Sequence, residues 1–335
     1  MIFQQLFDPT SSTYSYILAS RVGAEALIID PVYEHVETYL ALFEKLDLRL
    51  VKAIDTHIHA DHVTGLGVLR DHTRCITVMG ERSGADVVSM RVREGDRIKV
   101  DGVGLDVLYT PGHTDDSYSF LMDDRVFTGD ALLIGGTGRT DFQNGDPLQA
   151  YDSLFNKLLK LPGQTLVYPA HDYRGNTVST IASEKATNPR LQVSSPEEYA
   201  RIMNNLNLPD PKLMDLAVPA NQSIGRSQTE QFSSDELVDA TDALDSGAPW
   251  IYVDLRETSE RDRDGSIIDS IHFPYTSIGD VLSPTSPIAP LLDERPQELV
   301  FYCAFGERSA LALDLLREKG VHGPRHLVGG FAAWL

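Results

Sequence analysis

The 335-residue chain holds only two cysteines, Cys75 and Cys303. Two thiols so far apart cannot build the disulfide framework of a small secreted module, and they suit a reducing compartment. Basic residues are scarce too: 29 Lys+Arg stand against 49 Asp+Glu, for a formal net charge of −20. A surface of that sign repels a phosphate backbone and an anionic bilayer, so neither nucleic acid nor membrane is an expected partner. No apolar run reaches the roughly 20 residues of a membrane-spanning helix. The opening stretch MIFQQLFDPTSSTYSYIL lacks both the basic start of a secretory signal and the Arg-rich bias of a mitochondrial presequence, so the expected location is cytoplasmic. Internal repeats and low-complexity tracts are missing as well. What remains, 42% hydrophobic and 23% charged residues, is the composition of a folded globular protein.

At about 150 residues per domain the length suggests two domains. Short β-rich runs at 25–30, 49–55, 75–80, 105–110, 117–122 and 125–130 are separated by Gly, Asp and Pro. Helical periodicity appears at 35–46 and at 148–161, where Leu148, Tyr151, Leu154, Phe155 and Leu158 are predicted to share one face. Strands alternating with helices imply a layered α/β domain over residues 1–218. Residues 206–232 are rich in Pro, Asn, Gln and Ser, and 219–232 is the expected linker. A second α/β domain is expected over 233–335. It has a helix over 233–247 opened by Ser233, strands at 250–256 and 299–304, and a helix over 308–320 ended by Gly320.

Residues 56–62, THIHADH, follow the apolar run VKAI, so they lie where a strand gives way to a loop. In extended backbone His57 and His59 project to the same side. His113 in YTPGHTDDS, Asp130 in FTGDALL and His171 in YPAHDYRG repeat the arrangement. With Asp61 and His62 these make seven candidate metal ligands at four strand ends, which converge if the strands are neighbours in one sheet. Five of the ten histidines fall in these motifs, so chance clustering is a poor account of them. His35, His72, His272, His322 and His326 have no such context and receive no role.

The series HxHxDH, GHT, TGDAL and PAHDY resembles the metallo-β-lactamase superfamily over residues 1 to about 190, which implies an αββα sandwich with a metal site at the sheet edges. Fold does not fix the reaction. In a glyoxalase II-like hydrolase the resemblance puts His57, His59 and His113 on one zinc, Asp61, His62 and His171 on another, and Asp130 between them, for attack on a thioester. In persulfide dioxygenases of the superfamily only His57, His113 and Asp130 bind one Fe(II) per chain, a set that leaves room for substrate and O2 together. His59, Asp61, His62 and His171 then orient ligands from around it. The stretch LLIGGTGRTDFQNGDP (132–147) resembles the persulfide dioxygenases, and it lacks the GK[ST] ending of a phosphate loop. The same resemblance implies Arg139 and Tyr173 as residues that hold glutathione, with an exposed ion pair as the rival role for Arg139.

Cys303 follows LVFY and precedes a helix start, where backbone amides and the helix dipole favour a thiolate. CAFGERS resembles the CxxGxR[ST] loop of rhodanese domains, and WIYVDLR, IHFPY and HLVGGFAAWL resemble other landmarks of that family over 233–335. The match is weaker at DGSIIDSIHFP, where many rhodaneses read GHIPGA. Cys303 and Arg308 are separated by four residues, one fewer than in the protein phosphatase signature. The resemblance implies Cys303 and Arg308 as catalytic residues and Ala304, Phe305, Gly306, Glu307, Arg308 and Ser309 as the persulfide loop. An inert buried thiol is the alternative, and it is the reading preferred for Cys75 in the strand RCITVMG.

Together these expectations describe an enzyme that oxidises glutathione persulfide with O2 to sulfite and glutathione, fused to a thiosulfate sulfurtransferase. Its partners are small molecules: glutathione, its persulfide, thiosulfate, sulfite and O2. A homo-oligomer is compatible with all of this. Two rivals stand beside it: a binuclear zinc thioester hydrolase carrying a non-catalytic rhodanese module, and a sulfur-presenting sensor without turnover.

Overall fold

The computed structural model describes every residue except 210, 212 and 246–248. It divides into two compact units, one made of Met1–Asp86 and Arg91–Ile224, the other of Val87–Met90 and Gly225–Leu335. No helix among the described residues is long and apolar enough to cross a membrane.

The first unit holds two six-stranded sheets. One runs in the order β1 (Ile2–Asp8), β2 (Thr13–Ala19), β3 (Glu25–Ile29), β4 (Arg49–Ile54), β5 (Ile76–Gly80) and β6 (Met90–Val92). The other holds β7 (Arg97–Val100), β8 (Val103–Tyr109), β9 (Tyr118–Leu121), β10 (Arg125–Gly129), β11 (Leu166–Pro169) and β12 (Ser179–Thr180), with β7 and β12 at its edges. All seven residues of β2 are buried, as expected of a strand covered on both faces. Aromatic rings join the sheets face to face: Tyr16 lies 5.0 Å from Phe127, and Phe3 lies 4.9 Å from Tyr168. On the far side of the second sheet Val126 and Val167 pack with Leu154, Leu158, Ile181 and Tyr199 from the helical segments between 147 and 203. Helix Val36–Lys45 buries Val36, Tyr39 and Phe43 toward the first sheet, where the Tyr39 hydroxyl meets Ser15 Oγ at 2.9 Å. The result is an αββα sandwich. Each fully buried large apolar side chain contributes about 1.5–3 kcal/mol.

The amphipathic segment at 148–161 is less regular than its periodicity predicts. It is α-helical over Pro147–Asp152, widens to a π turn over Ser153–Lys157 and tightens to a 3-10 turn over Leu158–Lys160. Leu148 is 52% exposed, because it sits in the first turn beyond the edge of the cluster that takes up the other four.

The second unit is a five-stranded parallel sheet in the order β13 (Leu237–Val238), β17 (Arg325–Leu327), β16 (Leu299–Tyr302), β14 (Ile251–Asp254) and β15 (Ile271–His272). Beneath its strand ends the buried Arg256 pairs with Asp254 at 2.8 Å and stacks on the Phe331 ring at 3.9 Å. The helix predicted over 233–247 is replaced by a turn, β13 and a short helix, Ala240–Asp245; residues 246 and 247 lie outside the described ones. Ser233 does not cap a helix there but closes a turn on Glu236, and Leu237–Val238 complete the sheet edge beside β17. The expected linker 219–232 is divided between the units: helix Met214–Gln222 ends in the first, and Gly225–Phe232 belongs to the second.

Candidate metal centre and persulfide loop

Four strand ends carry the seven candidate ligands, but not within one sheet. His57, His59, Asp61 and His62 follow β4 in the first sheet, while His113, Asp130 and His171 follow β8, β10 and β11 in the second. The sandwich therefore brings them together across its two layers. One group is His57, His113 and Asp130; a second is His59, Asp61, His62 and His171, with ligand atoms in each group within 4.8 Å of one another.

Local hydrogen bonds fix how each imidazole is presented. Thr56 donates its hydroxyl to Asp30 Oδ2 at 3.1 Å, so its oxygen accepts from His57 Nδ1 at 2.9 Å, leaving His57 Nε2 unprotonated. His113 Nδ1 donates to the Arg139 carbonyl at 2.7 Å and likewise frees Nε2, which lies 3.5 Å from Asp130 Oδ2. The Arg139 carbonyl reaches that place because Gly138 lies against Asp130: a Cβ there would stand 2.3 Å from the Asp130 carbonyl and 2.8 Å from His113 Nδ1. Burial, then the neighbouring His59 and His113, push the His57 pKa well below the usual range. The donor set is thus two imidazoles and a carboxylate, which fits an iron site.

His171 spends both nitrogens on acids: Nδ1 lies 2.7 Å from Asp130 Oδ1, and Nε2 lies 2.8 Å from Asp61 Oδ2. Burial opposes its charge, but the carboxylates of Asp130 and Asp61 outweigh burial and raise its pKa well above the usual value. The opposite balance holds Asp130 and Asp61 below the ordinary carboxylate range, where burial is overcome chiefly by His171. Among the described residues, His59 Nδ1 and His62 Nε2 are buried without a hydrogen-bond partner.

Several residues of this centre carried no motif. Thr13, at the start of β2, places its hydroxyl 3.0 Å from His171 Nε2 and 3.2 Å from Asp61 Oδ2. Buried Asp30 takes the Thr56 amide at 2.7 Å and lies 3.2 Å from His59 Nε2. Asn221 donates to the His59 and His62 carbonyls, both at 2.9 Å, and accepts the Thr64 amide at 2.8 Å. A rise from apolar strand to polar residue marks Asp30 in EALIID; nothing local marks Thr13 or Asn221.

Tyr173 is 70% exposed, its ring parallel to that of His171 at 6.1 Å, so it is free to meet a ligand. Arg139 has several partners within the first unit. Its guanidinium pairs with Asp141 at 2.6 and 2.8 Å, donates to the Pro209 carbonyl at 2.6 Å and covers the Phe142 ring at 3.9 Å. The ion pair named as its rival role is thus formed.

In the second unit Cys303 directly follows β16 and is fully buried, its Sγ receiving the Gly306 N–H at 3.1 Å, with Ser309 Oγ at 3.9 Å. Gly306 adopts φ +90°, a left-handed value that aims this amide back at the sulfur and that favours glycine. Arg308, expected to act in catalysis, is fully buried. It forms a buried two-pronged pair with Glu260 at 2.6 and 2.7 Å, and that carboxylate, against the effect of burial, raises its pKa. Glu307 is buried as well and accepts the Arg226 amide at 3.1 Å. Both cysteines are free thiols.

Comparison with known proteins agrees with this layout. The Metallo-beta-lactamase superfamily model matches residues 8–171, and the Rhodanese-like domain model matches residues 234–335. The mitochondrial persulfide dioxygenase ETHE1 of Mus musculus is 46% identical over 228 residues, which are 67% of this chain and 89% of the mouse protein. The crystal structure of ETHE1 from Myxococcus xanthus is 54% identical and covers 68% of this chain and 100% of its own, with a TM-score of 0.66. A metallo-beta-lactamase structure from Staphylococcus aureus, 23% identical, covers 98% of this chain and 99% of its own with a TM-score of 0.63, a likeness of fold alone. The chain belongs to the persulfide dioxygenase family of the metallo-β-lactamase superfamily, and it carries a rhodanese-like domain over residues 234–335.

Proposed function

We propose that the first unit oxidises glutathione persulfide with O2 at one Fe(II) per chain, and that the second moves a sulfane sulfur through Cys303. In the first reaction glutathione persulfide, O2 and water give glutathione, sulfite and two protons; the terminal sulfur loses four electrons and O2 gains them. The observation that carries this reading is the pairing of two imidazoles, each with Nε2 freed by a bond from Nδ1, with the Asp130 carboxylate. An iron held by these three residues would supply positions open to both sulfur and O2. His171 turns Asp130 by holding its other oxygen, and Tyr173, exposed beside His171, would meet the glutathione backbone. A relative named persulfide dioxygenase at 46% identity, and an ETHE1 structure at 54% identity, support the assignment.

In the second reaction the Cys303 thiolate attacks the outer sulfur of thiosulfate. A new S–S bond forms, the old one breaks, and sulfite leaves with the bonding pair. Glutathione thiolate then takes the outer sulfur, releasing glutathione persulfide and restoring Cys303. Run backward, glutathione persulfide charges Cys303 and sulfite accepts. The rhodanese-like match and the amide at the sulfur support this step. Two buried free thiols suit a reducing, cytoplasmic setting.

The orphan nitrogens of His59 and His62 favour a second reading, a binuclear zinc hydrolase of glutathione thioesters. Oxygen-electrode turnover of glutathione persulfide separates the two. The intact chain should consume O2, His113→Ala should not, and Cys303→Ser should keep O2 uptake while losing thiosulfate-dependent transfer. Two equivalents of zinc with no O2 consumed would establish the hydrolase instead.

A further inference from the structure

The peptide joining Phe305 to Gly306 lies at the centre of the Cys303 loop. Its N–H donates to Cys303 Sγ at 3.1 Å, and its C=O accepts from Gln228 Nε2 at 2.8 Å. Gln228 is itself fixed at two further points. Its Oε1 accepts the Gly329 N–H at 2.9 Å, and its backbone carbonyl lies 2.8 Å from His326 Nε2. His326 is fully buried, and burial lowers its pKa, so the neutral ring donates from Nε2. The loop is tied on its other side by Phe331 N–H to the Cys303 carbonyl at 2.7 Å and Ala332 N–H to the Ala304 carbonyl at 2.9 Å. Neither of those bonds holds the Phe305–Gly306 peptide. Gly306 has no Cβ to resist rotation of that peptide, and Gln228 Oε1 stands 1.8 Å from where one would be. A peptide turned over would point a carbonyl at the sulfur and repel a thiolate.

We propose that Gln228 is a positioning residue for Cys303: it locks and polarises the Phe305–Gly306 peptide so that its N–H steadies the sulfur as thiolate and, after transfer, as persulfide. A donor on the carbonyl of a peptide strengthens the bond its N–H makes. The importance of this for turnover rests on the sulfur-transfer reading; the effect on the thiol does not. Gln228 comes from the stretch Gly225–Phe232, so the reactive loop depends on residues that precede the rhodanese-like match at 234.

The test uses the full chain carrying Q228M, which keeps the side-chain length and removes the donor, and Q228A. Alkylation of Cys303 by iodoacetamide is followed on its proteolytic peptide across a range of pH, so that Cys75 does not interfere. Both variants should react about 3- to 10-fold more slowly at neutral pH, with the profile moved to higher pH. O2 uptake with glutathione persulfide should stay unchanged. Variants that keep the parent profile overturn the proposal. Hydrogen exchange at the Gly306 amide of the unaltered chain decides the matter independently of how the variants fold: exchange as slow as in a helix is expected, and exchange as fast as in an exposed loop overturns it. Should the parent fail to turn over thiosulfate while the alkylation shift is present, the transfer reading falls and the Gln228 assignment stands.

Discussion

His171 and Arg308 each hold a carboxylate that lies outside their own motif. His171 grips Asp130 and Asp61 with its two nitrogens, so removing it should loosen the metal without abolishing its site. His171→Gln is expected to weaken iron binding about 10- to 100-fold, the usual effect of losing a residue that orients a ligand. Metal titration with the chelator-stripped protein checks this against His113→Ala, which should bind no iron. Arg308 faces Glu260, 48 positions earlier, where both are buried. Arg308→Ala leaves an unpaired buried carboxylate and should cost about 3–5 kcal/mol of stability in the second unit. In urea unfolding the double change R308M/E260L should recover most of that loss, since an apolar pair of similar volume replaces the ions. If Arg308→Ala unfolds at the parent urea concentration, the residue has another role. These partners show why motif residues were legible while their use was not. CAFGERS announces Arg308, but no spacing within it points to Glu260.

Elements position the site from farther away still. Helix Met214–Gln222 presents Asn221 to three backbone groups of the loop that carries His59 and His62. Asn221→Ala would strand two carbonyls and an amide in a buried place, at about 1–3 kcal/mol for each group that water cannot reach. The expected result is a lower melting temperature together with reduced metal content, and the two should move together across N221A, N221D and N221S. A variant that loses stability but keeps full metal would show that the loop does not need this support. From sequence this helix was hidden by Pro219 and by a polar composition that suggested a linker. Strands fared better: the runs at 25–30, 49–55 and 125–130 coincide with β3, β4 and β10, because burial on both faces demands continuous apolar residues. The predicted convergence of ligands in one sheet missed the second layer, since hydrophobic pattern gives a strand its faces but not its neighbours.

At the scale of the whole molecule, specific carboxylate pairs in each unit set where acid acts on stability. In the second unit Glu236 is opposed by burial but held by Arg317 and Ser233, and its pKa falls from the ordinary 4.5 to about 2. In the first, Asp8 is likewise opposed by burial, yet Ser11 and His35 bring it from 3.8 to about 2. A carboxylate depressed in the folded state stabilises it fully above its unfolded value, and that contribution disappears as pH falls through the folded value. Both units should therefore lose stability between about pH 4.5 and pH 2. For Glu236 the ceiling is about 3 kcal/mol, and partial exposure of the pair reduces it to about 1–2 kcal/mol. Glu236→Gln supplies the control. At neutral pH it should unfold at lower urea than the parent, and the gap should close as the parent's Glu236 takes up its proton. A gap that persists unchanged from neutral to strongly acid pH would mean that Glu236 acts through shape and not through charge.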